Sequence, residues 1–142
     1  MAHWRLFYHF VWTTKDREPL LTHDIEPTVH RFLHAEANKM HVPLFVSGGT
    51  ADHVHVLAAV RAAVSPAAFM KQLKGSSSRF VGLEFKRAFE WQKGYGVFSV
   101  SEEDVPRLVE YVEAQGQHHA EGTLVEEWEQ TSNWNVGPQT AR

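Results

Sequence analysis

The feature that most narrows the fold of this chain is the order in which two hydrophobic periodicities alternate along it. Trp4 to Trp12, WRLFYHFVW, is dense in aromatic and β-branched residues and predicts a first strand buried on both faces. After a polar connection from Thr13 to Thr22, apolar residues at Ile25, Val29, Phe32 and Leu33 repeat at helical spacing. Thr22 or Asp24 is the expected cap, Pro27 falls in the first turn where its missing N–H costs least, and the helix should run to about Met40. His41 to Val46 predicts a second strand, Ser47-Gly48-Gly49-Thr50 a turn, and Asp52 to Val60 a third strand, together an antiparallel hairpin.

Ser65-Pro66 then opens a second helix whose apolar face carries Phe69, Met70, Leu73 and Phe80. A fourth strand is centred on Tyr95 to Val100. Ser101, followed by Asp104, resembles a loose capping box for a third helix with Val105, Leu108, Val109 and Val112 as its buried stripe. Strand, helix, strand, strand, helix, strand, helix is the order of an α+β, ferredoxin-like split βαβ fold. It predicts an antiparallel sheet with helices on one face and an added C-terminal helix bearing Tyr111. Residues 1–122 form the expected domain, and residues 123–142 a short helix and loose tail belonging to it.

Composition excludes several chemistries. Cysteine is absent, which removes disulfides, thiolate catalysis and Cys-based zinc sites together, and fits a cytoplasmic setting. No apolar run is long enough to span a membrane, and no small-residue cleavage site follows the opening residues, so no signal peptide is expected. The net charge of −3 runs against nucleic-acid binding, but the charge is uneven. Lys71, Lys74, Arg79, Lys86, Arg87 and Lys93 face only Glu84 and Glu90 between Ser65 and Tyr95, whereas Ser101 to Gln130 holds nine acidic residues and only Arg107. A basic face on an acidic molecule and a pair of oppositely charged solvated helices both fit this pattern.

The chemistry-bearing stretch is ADHVHVL, residues 51–57. In a strand, residues i and i+2 share a face, so His53 and His55 project together while Val54 and Val56 point into the core. Two imidazoles on one face suit a shared divalent metal, which needs neutral rings, or are two core histidines. On the third helix, Tyr111 and Gln115 are four apart and share a face. Alone they read as a rim tyrosine and a solvated amide. Opposite a metal site they become a nucleophile and a neutral oxygen ligand. A free phenol titrates near pH 10, so attack at neutral pH needs an electrophile that has been polarised.

DHVHVL followed by YVEAQ resembles the HUH single-tyrosine transposases of the insertion-sequence 200/605 family. YHFVWTTKDREPLL near the start, LKGSSSRF after the paired histidines and FEWQKGYGVFSVS before the tyrosine helix extend the resemblance to most of the chain, and it thins after His119. The resemblance implies a transposase that cuts and rejoins single-stranded DNA at the hairpin ends of an insertion sequence through a 5′-phosphotyrosine. It implies Tyr111 as nucleophile, His53, His55 and Gln115 as ligands of Mg²⁺ or Mn²⁺, and a homodimer in which the tyrosine helix of one subunit completes the other's site.

Around that centre, Asp52 either orients one of the paired histidines from behind or caps a turn. Lys71, Lys74 and Arg79, with Ser76, Ser77 and Ser78 among them, offer phosphate contacts or form a solvated helix face. Trp4, Tyr8, Trp12, Trp91 and Tyr95 are candidates for base stacking, with core packing the alternative for each. Tyr95 is the rival nucleophile, and His118 and His119 are candidate proton carriers. The competing function is a non-transposing, domesticated module that binds DNA hairpins on the same fold.

Overall fold

A computed structural model describes residues 3–115. Strand β1 (Phe7–Thr13) leads to helix α1 (Glu26–Lys39), the hairpin β2 (Leu44–Thr50) and β3 (His53–Ala59), helix α2 (Pro66–Phe85), strand β4 (Gly96–Val100) and helix α3 (Val105–Glu113). The sheet has four strands in the order β2-β3-β1-β4, and every neighbouring pair is antiparallel. The expected ferredoxin-like α+β architecture is therefore present. Among the described residues no helix is long and apolar enough to cross a membrane. The expected short helix and tail after Gly122, like His118 and His119, lie outside the described residues.

The pleat assigns each residue of the central strands to one of two layers. Phe10, Trp12, Val54, Val56 and Ala58 face α1 and α2, where they pack with Val29, Leu33, Phe69, Met70, Leu73 and Val81. Phe32 of α1 stacks on Phe80 of α2 with ring centroids 4.3 Å apart. The opposite face is covered by α3, whose Leu108, Tyr111 and Val112 pack on Val46 and Leu57. β1 is buried on both faces, as its composition predicts, because each face meets a different helical layer.

Three boundaries differ from the sequence reading. Gly48 and Gly49 belong to β2, and the hairpin turns at Ala51-Asp52 instead. The cause is α3: a Cβ on Gly48 would stand 2.5 Å from the Val112 backbone oxygen, so only glycine lets the helix lie this close to the strand. Neither Thr22 nor Asp24 caps α1 through its side chain. The Thr22 carbonyl accepts from the Ile25 and Glu26 amides, while Asp24 pairs with Arg87. Ser101 bonds to the Asp104 carboxylate rather than to a backbone amide, and one 3₁₀ turn over Glu102–Asp104 precedes α3. By contrast, the Ser65 side chain accepts from the Ala68 amide as its position before Pro66 predicts.

His30 of α1 supplies a pH-sensitive element within this frame. Its ring is buried between Ser47 of β2 and Glu26, and burial, with the charge of His34 second, holds its pKa at about 4 instead of 6.5. The unfolded chain binds the extra proton between those two values, so stability rises with pH across that window and is lost as pH falls from 6.5 towards 4. The loss should amount to no more than about 3 kcal/mol. Urea unfolding at pH 7 and pH 4.5 measures it, and His30→Asn, which keeps a polar atom near Nδ1 but cannot titrate, should flatten the difference.

Candidate active site

The α3 face of the sheet gathers the polar residues. Thr13, His53 and Thr50 form one row across β1, β3 and β2, and Val11, His55 and Gly48 form the next. His53 and His55 are both fully buried beneath α3, their ring centroids 5.1 Å apart. Tyr111 meets His55 edge to face at 6.0 Å, and its ring is only 5% exposed. One turn on, Gln115 places Oε1 2.9 Å from Nε2 of His53. The four side chains singled out in the sequence thus converge within a single chain.

His53 is clamped from both sides. Its Nδ1 lies 2.8 Å from Asp52 Oδ1 and 2.8 Å from Thr50 Oγ1. Burial pushes the Asp52 carboxyl up, but the hydrogen bond from His53 and the charge of Arg17 outweigh it and hold Asp52 below the usual carboxylate range. Asp52 is therefore an ionised acceptor, and the Nδ1–H of His53 donates to it. The Nε2 lone pair then faces an amide oxygen, a contact between two acceptors. A shared cation resolves that contact; so does an amide turned to present its NH₂, or a second ring proton. Two cis donors on an octahedral ion with bonds of 2.0–2.1 Å stand about 2.9 Å apart, so the His53 and Gln115 atoms are spaced as such a pair. Among the described residues no group of three His, Cys, Asp or Glu side chains could hold a metal, so a divalent ion bound here would need the Gln115 amide beside the two imidazoles. The donor set fits a divalent ion.

A model of the family described as "Transposase IS200 like" matches residues 2–115. The chain belongs to the IS200-like transposases. Relatives agree with this. The chain is 30% identical over 125 residues to the "Transposase for insertion sequence element IS200" of Salmonella typhimurium, covering 81% of each protein. It is 25% identical over 119 residues to the "ISDra2 transposase TnpA" of Deinococcus radiodurans, covering 79% of this chain and 85% of that one. Among solved structures, a putative transposase from Deinococcus radiodurans superposes with a TM-score of 0.67 at 26% identity, over 80% of this chain and 93% of that one. The "REP associates tyrosine transposase bound to a REP hairpin" shares the fold, with a TM-score of 0.65 at 13% identity over 94% of this chain and 83% of the other.

Other candidates of the IS200-like chain fall elsewhere. Lys71 and Arg79 lie on one exposed face of α2 with Gln72, Gly75 and Ser76. Lys74 does not join them: Nζ donates to the Gln92 and Gly94 carbonyls at 2.7 Å each, and burial lowers its pKa to about 8. Ser77 is fully buried and accepts from Trp91 Nε1 at 2.9 Å, and Ser78 donates to the Phe89 carbonyl. Both tie α2 to the segment before β4 rather than offering hydroxyls to phosphate. Trp12 and Trp91 are core residues, and Tyr95 packs towards Phe10 on the face away from His53.

Sequence reasoning missed His9 and Thr50. The available signal for His9 was parity: in YHFVWT, His9, Val11 and Thr13 alternate with the aromatics and share their opposite face. That His9 meets His55 depends on the pairing of β1 with β3, which the sequence does not display.

Proposed function

We propose that this IS200-like transposase cuts and rejoins single-stranded DNA at insertion-sequence ends, with Tyr111 as the nucleophile. The observation that carries this reading is the convergence of Tyr111 and Gln115 of α3 on His53 and His55 of β3. The Tyr111 oxygen attacks the scissile phosphorus, forming a new P–O bond as the P–O3′ bond breaks. The products are a 5′-phosphotyrosine and a 3′-hydroxyl; the phenol proton passes to water or a nearby base, and the leaving oxygen takes one up. One phosphodiester is exchanged for another, so resealing by the 3′-hydroxyl needs no ATP.

His53, His55 and Gln115 would hold Mg²⁺ or Mn²⁺, which when bound acts as Lewis acid and template for the phosphate. Two imidazoles lean towards the softer ion of the pair. The chain's own contribution is orientation. Asp52 and Thr50 fix the His53 ring, and the packing of Leu108 and Val112 on Val46 and Leu57 aims Tyr111.

Lys71 and Arg79 are proposed phosphate contacts. Replacing either by Ala should weaken binding to single-stranded DNA and lower its salt slope by roughly one each. Lys74→Ala should instead cost about 1 kcal/mol of stability and leave the slope nearly unchanged, since Nζ already serves two carbonyls. Fluorescence anisotropy across a salt series separates the two effects. A cytoplasmic homodimer is part of the proposal, checked by sedimentation of the full chain.

The test is incubation of the full chain with Mn²⁺ or Mg²⁺ and labelled single-stranded oligonucleotides carrying the flanking element's ends. A labelled band that migrates with the denatured protein supports the proposal. The second reading, a domesticated hairpin-binding module, expects binding without cleavage at any metal concentration. Free ends without attachment would identify hydrolysis by water.

A further inference from the structure

His9 sits at the centre of β1 with no solvent exposure, on the α3 face, between residues that pack as an apolar layer. Its register partners are Leu57 and Phe98, and the Phe98 ring is 5.9 Å away. A polar ring in such a layer costs free energy unless it is hydrogen-bonded, and Leu or Val would fill the space without that cost. Its Nε2 stands 2.7 Å from Nδ1 of His55, with the rings nearly parallel at 14°. A nitrogen–nitrogen contact this short holds one proton, so one ring donates and the other accepts.

The two assignments differ in what His55 can do. If His9 donates, the neutral His55 ring carries its own proton on Nε2, and a protonated nitrogen cannot ligate a cation. If His55 donates from Nδ1, its Nε2 bears a lone pair. Nδ1 is covered by His9, so Nε2 is the nitrogen with which His55 would face a cation. The neighbouring ring has the same arrangement: His53 is held at Nδ1 by Asp52 and Thr50 and turns Nε2 towards Gln115.

We propose that His9 is a positioning residue that accepts the Nδ1 proton of His55 and thereby fixes the tautomer in which His55 Nε2 can bind a divalent cation. The proposal rests on the cation reading above. A neutral acceptor suits this place because a carboxylate buried without solvent would cost far more than an imidazole. Asp52 can be a carboxylate because its side chain is about a third exposed and faces Arg17.

Nitrogen-15 NMR of the imidazole rings in the metal-free full chain reads the tautomer directly. In the wild type the His55 proton should reside on Nδ1. In His9→Leu it should move towards Nε2, and Mn²⁺ affinity measured calorimetrically should fall about 10–100-fold. His9→Gln, whose amide oxygen reaches the same point, should return the proton to Nδ1 and recover most of the affinity. A wild-type His55 protonated on Nε2 overturns the proposal without any variant, which covers the case of a Leu variant that does not fold. A folded His9→Leu with unchanged tautomer and Mn²⁺ affinity overturns it as well. Should the wild type show the expected tautomer yet bind no Mn²⁺, the cation reading fails and with it the ligand role given to His55. The failure would then lie in that reading rather than in the hydrogen bond from His55 to His9.

Discussion

Replacing Tyr111 by Phe is expected to abolish the covalent protein–DNA adduct and to lower strand cleavage by at least about 10⁴-fold, the scale seen when a nucleophile is removed from an otherwise intact site. The change deletes a single oxygen. The ring keeps its edge-to-face contact with His55 and its packing among Val46, Leu57, Leu108 and Val112, so thermal unfolding should shift little. Mn²⁺ binding should persist too, because His53, His55 and Gln115 are untouched. Tyr95→Phe is the matched control. That tyrosine packs on the α1–α2 side of the sheet, and its loss should leave the adduct at wild-type levels. An adduct that survives Tyr111→Phe would remove Tyr111 as the nucleophile, and cleavage that survives without an adduct would point to attack by water.

Periodicity carried most of this architecture. The alternation in DHVHVL placed both imidazoles on one face and both valines on the other, and the structure separates them that way, onto the α3 layer and the α1–α2 layer. What local pattern could not carry was approach between distant segments. Gly48-Gly49 reads as a turn because glycine is frequent in turns, yet here the missing side chain of Gly48 makes room for Val112, and that of Gly49 for the His53 carbonyl. Lys71, Lys74 and Arg79 read alike as helix cations, but Lys74 is captured by carbonyls about twenty residues onward in the chain. Ser77 differs from Ser76 in being buried, where its hydroxyl meets the indole of Trp91. His9 is the sharpest case. Its role depends on which strand lies beside β1, and that is a property of the sheet order.

Gly48→Ala is expected to reduce cleavage by roughly 100-fold while costing about 1–3 kcal/mol of stability, the largest combined effect foreseen for a residue outside the reacting groups. The new methyl would meet the Val112 carbonyl oxygen at 2.5 Å. That atom belongs to helix backbone and cannot rotate aside, so α3 must lift or β2 must bend. Val112 stands between Tyr111 and Gln115, and any lift moves both, drawing the amide from His53 and the phenol from His55. A displacement near 1 Å is enough for a loss of that size when reacting atoms must be aligned. The α1–α2 layer lies on the far face, so Trp12, Trp91 and the stacked Phe32–Phe80 pair should keep their environment. The near-ultraviolet dichroism contributed by Trp12 and Trp91 should therefore stay close to wild type while adduct formation and Mn²⁺ affinity fall together. Wild-type cleavage by Gly48→Ala would mean that α3 does not rest on β2 when the chain acts, and the alignment of Tyr111 would need another support.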